Sequence, residues 1–121
     1  MKRPEKLASW EQARSAVMHL VKEPDPSLLL VENTGAFFTV GVRDDQAFVV
    51  HHPPSRSPAV SASLDPAFKP RTDADYVEFT VGGTQTPIPK DRCVPLQTAL
   101  RILEEYWKDG RLSRSVSWVQ D

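Results

Sequence analysis

Apolar residues recur with helical period near the start of the chain. Ala13, Ala16, Val17, Leu20 and Val21 fall at i, i+3, i+4, i+7 and i+8, one stripe of an α-helix. Ser9 stands where it can cap the first turn, with Gln12 three residues on to complete a capping box. Pro24 and Pro26 stop the pattern, which predicts a helix over 10–22 whose outer face carries Glu11, Arg14, Ser15 and Lys22. The period then shortens to two. Leu28 to Glu32 is continuously apolar up to its last residue, as in a strand buried on both faces, and Asn33-Thr34-Gly35 signals a turn. In 36–42, Phe38, Val40 and Val42 alternate with Phe37, Thr39 and Gly41. Arg43-Asp44-Asp45-Gln46 turns the chain into a third strand, 47–51, and connections this short favour an antiparallel meander.

From 52 to 75 the pattern lapses. Pro53, Pro54, Pro58, Pro66 and Pro70 crowd this stretch, and only 60–64 suggests a brief extended piece. A connection of such length in a small domain is a candidate functional loop. Alternation resumes at 76–81, where Val77, Phe79 and Val81 oppose Tyr76, Glu78 and Thr80. Gly82-Gly83 predicts a tight hairpin, and 84–88 returns as an edge or bulged strand because Pro87 and Pro89 cannot donate to a ladder. Pro95 suits the first position of a second helix, whose stripe is Leu96, Ala99, Leu100, Leu103, Tyr106 and Trp107, with Gly110 as terminator. A closing strand is expected within 114–119, holding Val116 and Trp118 on one face. The sum is an α+β fold: a single mainly antiparallel sheet, meander plus hairpin, packed against two helices in one domain spanning 1–121.

Composition narrows the function classes. At 40% hydrophobic and 26% charged residues, the chain has the balance of a folded domain. Fifteen Lys and Arg against sixteen Asp and Glu leave a net charge of -1, without the basic field that nucleic-acid binding requires, so no direct nucleic-acid partner is expected. The longest apolar run, Leu28 to Val31, is too short for a bilayer. Met1-Lys2-Arg3-Pro4 leads into no apolar signal region. Cys93 is the only cysteine, which rules out an internal disulfide. The expectation is a cytoplasmic protein that does not engage membranes.

Candidate chemistry is sparse. Adjacent His51 and His52 in a strand point to opposite faces and cannot jointly hold a metal, and His19 stands alone on its helix. Cys93 precedes Val94-Pro95 in extended chain, where a small packed hydrophobe is the simpler role. Ser55, Ser57, Ser61 and Ser63 lie in a Pro-rich connection without a nucleophile elbow, Gly82-Gly83 lacks phosphate-loop spacing, and Glu104-Glu105 reads as a solvated helix face. These patterns imply no catalysis, metal or cofactor. The acidic residues Asp44, Asp45, Asp65, Asp73 and Asp75 all fall in connections. Ordinary solubilising charge is the simpler account of them; the functional alternative is a patch for binding a basic partner, whose encounter surface charge would speed.

The run Tyr76-Val-Glu-Phe-Thr-Val81, the approach to Cys93-Val94-Pro95, the helix Leu96 to Trp107, Asp109-Gly110 and the terminal Ser115-Val-Ser-Trp118-Val119 resemble the Immunity protein 1 family of bacterial polymorphic toxin systems. The resemblance implies an antitoxin that docks on a cognate toxin made in the same cell, often a nucleic-acid deaminase, and blocks its active site as a monomer in a one-to-one complex. The matching residues are fold determinants, so the resemblance transfers no binding residue. Two other classes stay open: a non-catalytic adaptor or peptide-binding module, and a small ligand-binding protein or hydrolase, which would need a converging polar pocket.

Overall fold

The computed structural model describes residues 5–6, 9–20, 22, 27–31, 35–55, 57–81 and 83–120, with backbone alone for 5–6 and 27–31. Val21, the Pro24 and Pro26 stop, Glu32, the Asn33-Thr34 turn and Gly82 lie outside them. In chain order the elements are β1 (Glu5–Lys6), α1 (Trp10–Leu20), β2 (Ser27–Val31), β3 (Phe37–Arg43), β4 (Gln46–His52), β5 (Val60–Ser63), β6 (Tyr76–Val81), β7 (Thr84–Pro89), β8 (Val94–Pro95), α2 (Leu96–Asp109) and β9 (Ser117–Gln120). Short 3₁₀ turns occupy Asp73–Asp75 and Lys90–Arg92.

The main sheet runs β1-β2-β3-β4-β5-β9, with β8 also paired to β4. Among the described residues only β1 and β2 pair in parallel and every other pair is antiparallel, so the α+β class holds. β4 shares its second edge between two partners: β8 pairs Gln46 and Ala47, and β5 pairs Val50 and His51.

Two features depart from the sequence reading. The hairpin β6–β7 does not join the main sheet but forms a second, two-stranded one. The Pro-rich stretch also contains a full sheet member: β5, held between β4 and β9.

The sheet separates two apolar layers. Phe38, Val40, Val42, Ala47, Val49 and Ala62 face the helices and meet Val17 and Leu20 of α1 and Ala99, Ile102, Leu103 and Tyr106 of α2. Phe38 is the hub of this side, with Tyr106 edge-on at 4.9 Å and Trp107 at 5.9 Å between ring centroids. The α2 stripe is centred on Ala99, Ile102, Leu103 and Tyr106, so Ile102 is a core residue outside the predicted set, while Leu96, Leu100 and Trp107 flank the cluster. The opposite face holds a smaller cluster of Phe48, Phe79 and Cys93, through which the hairpin packs. Gly41 pairs with Phe48 across the ladder, and a Cβ at Gly41 would overlap the Phe48 ring, so the missing side chain lets that ring lie over β3.

The ends of the elements follow local chemistry. The Gln12 N–H donates to Ser9 Oγ at 3.3 Å, and Gly110, at φ 70°, closes α2 by donating to the Tyr106 carbonyl. Pro95 precedes α2 as its cap rather than opening it. Trp118 is half-buried against the helix-side core, and its indole N–H donates to the Ser113 carbonyl at 2.9 Å.

Candidate functional site

The turn between β3 and β4 is fastened on three sides. Arg43 pairs with Gln46 across the hairpin, Gln46 pairs with Pro95 of β8, and the Asp45 carbonyl accepts from the Leu96 N–H at 2.7 Å. That last bond serves α2, whose preceding residue Pro95 supplies no side-chain cap. The Arg43 guanidinium donates to the Glu78 carbonyl of β6 at 2.7 Å. In the hairpin register the Glu78 carbonyl points away from β7, and Arg43 satisfies this outward acceptor. Asp44 sits in the left-handed region at φ 56°, a conformation Asp tolerates better than most residues. The turn therefore ties sheet, hairpin and helix together, and it presents the exposed Asp44 and Asp45 on a rigid base.

The other acidic candidates separate into two kinds. Asp65 Oδ1 accepts from the Ala67 N–H at 3.1 Å. Asp75 Oδ2 accepts from the N–H groups of Arg71 and Thr72, which hold its carboxyl below the usual carboxylate range. Both carboxylates thus shape their own connection. Asp73, one 3₁₀ turn from Asp75, is exposed. A sixth acidic residue, absent from the sequence-based set, is structural: Asp91 Oδ2 accepts from Ser63 Oγ at 2.5 Å and the Asp91 carbonyl accepts from the Leu64 N–H at 2.8 Å, fastening β5 to the turn before β8. On the outer face of α2, Lys108 pairs with Glu104 at 3.1 Å.

The chemically versatile side chains are dispersed. His52 stacks on Phe37 with ring centroids 4.3 Å apart, its Nε2 3.0 Å from Thr39 Oγ1, while His51 turns to the other face against Phe38 and Tyr106. Cys93 is buried, and burial together with Asp91 pushes its thiol up to about 11, far from a reactive thiolate. Among the described residues no three His, Cys, Asp or Glu side chains converge on a point where a metal could sit.

Burial, with the neighbouring His52 charge as the lesser cause, holds the His51 imidazole below its ordinary value. The unfolded chain thus takes up a proton near pH 6.5 that the folded chain still refuses. His51 imposes no stability penalty above that pH, and a growing one as pH falls below it. Thermal unfolding between pH 7 and pH 5 should show a falling melting temperature, with a flatter profile in His51→Leu; identical slopes would contradict this account.

Fold and surface together define a small scaffold that carries charged residues on braced connections. The chain belongs to the immunity protein Imm1 family, whose model matches residues 1–120. No curated protein and no solved structure matches it. Membership in this family implies that it binds a cognate toxin. No helix among the described residues is long and apolar enough to cross a membrane.

Proposed function

We propose that this chain neutralises a toxin domain encoded beside it by binding the toxin's active site or substrate channel, as a monomer in a one-to-one complex in the cytoplasm, without catalysis. The observation that carries this reading is the braced β3–β4 turn, which holds Asp44 and Asp45 in solvent while its backbone is fixed to β8 and α2 and its Arg43 side chain to β6. Rigid presentation lowers the ordering cost of binding. A toxin acting on nucleic acid, such as a deaminase, needs a basic groove for phosphates, and the two carboxylates are suited to occupy it. Asp73 is the second acidic contact, exposed and with its carboxylate not engaged by a backbone N–H among the described residues, whereas Asp65 and Asp75 contribute by shaping the loop that bears it.

The double replacement Asp44→Lys with Asp45→Lys should slow association with the neighbouring toxin domain and reduce the dependence of that rate on salt. Surface plasmon resonance at several ionic strengths measures both. An unchanged rate and salt dependence would move the interface to the outer face of α2 at Arg101, Glu104, Glu105 and Lys108.

A further inference from the structure

Exposed strand edges offer unpaired backbone donors and acceptors, and folded proteins usually guard them with proline, charge, brevity or cover. Most edges in this chain are guarded. β7 carries Pro87 and Pro89, and the outward Glu78 carbonyl of β6 is taken by Arg43. β1 is two residues long and both are charged; β8 is two residues long and ends in Pro95. β9 differs. It ends the main sheet, pairs through all four of its residues with β5, and among the described residues no strand pairs with its other side. Its sequence, Ser-Trp-Val-Gln, holds neither proline nor charge.

We propose that the outer edge of β9 receives an extended strand of the toxin, which lengthens the main sheet by one member. The inference rests on the immunity reading above and adds a second, backbone-mediated contact to the acidic one. An open ladder selects an extended segment over a helix or a loop. Side-chain alternation sets its character: Trp118 faces the helix-side core while the half-buried Val119 lies on the opposite face, so an apolar residue of the incoming strand belongs beside Val119. Arg111 and Arg114, exposed on the approach to β9 and without an ion pair among the described residues, favour an acidic residue at the end of the strand near Ser117. A second copy of this chain is the weaker occupant. Four residues span only about 13 Å, and so short a ladder alone falls far below the roughly 1,200 Å² that a stable interface buries.

Hydrogen exchange of the backbone amides of 117–120 tests the proposal, in the free chain and in complex with the toxin domain encoded by the neighbouring gene. The outward-pointing amides should exchange roughly tenfold or more slowly in the complex. A complex that leaves these amides unchanged overturns the β9 proposal while sparing the immunity reading; failure to form any complex overturns both. Slowing that appears in the free chain as its concentration rises assigns the edge to self-association and also overturns the proposal. Independently, Ser117→Glu with Gln120→Glu, both at exposed positions, should keep the parent melting temperature and weaken toxin binding by roughly tenfold, because the new carboxylates repel the acidic end of the incoming strand. Unchanged affinity would contradict the proposal.

Discussion

Phe38→Ala is expected to lower the stability of this protein by about 3–5 kcal/mol. The ring is fully buried and meets His51, Tyr106 and Trp107, so truncation opens a cavity between sheet and α2 that rigid neighbours cannot fill. Because a small domain has only about 5–15 kcal/mol of total stability, the variant should melt far below the parent, and calorimetry would show it. A shift of only a degree or two would mean that α2 collapses onto the gap, and that the helix layer is softer than its packing implies.

Phe79→Ala is the counterpart on the other face, with a similar expected cost of about 3–5 kcal/mol. Phe79 is the most deeply buried residue of the hairpin, and it meets Phe48 edge-on at 5.1 Å. The hairpin makes no ladder with the main sheet, so this contact, Cys93 and the Arg43 bond hold it in place. The loss should therefore be local as well as global. Amides of 76–89 should exchange faster than those of β3 and β4 in the same variant. Uniform loss of protection across both sheets would show instead that hairpin and sheet unfold as one unit.

These contrasts also explain what the sequence could disclose. Helix α1, its Ser9 cap and the Gly110 terminator follow from spacings within a few residues, and each is found where expected. The alternation that buries Phe79 beneath Val77 and Val81 is equally local. Strand β5 reads weakly because Val-Ser-Ala-Ser has little apolar character of its own; it is a strand because β4 and β9 pair with it from both sides. Nor does anything within 76–89 tell that the hairpin stacks on the sheet rather than extending it. That outcome depends on Gly41 letting Phe48 lie flat, a relation between residues on two other strands. The acidic candidates were visible as residue types in connections. Their division into loop-shaping carboxylates, bonded to backbone N–H groups, and the rest was not, because it depends on which backbone N–H lies beside each carboxylate.

The central claim is that this chain silences a toxin by binding it. Titration of the purified neighbouring toxin domain with the purified chain, followed by the toxin's own activity, tests it most directly. The account predicts linear loss of activity to near zero at one equivalent, retained when His51, His52 and Cys93 are replaced together in a variant that still folds. Toxin activity that persists at large excess of chain, or inhibition that depends on those three side chains, would contradict it.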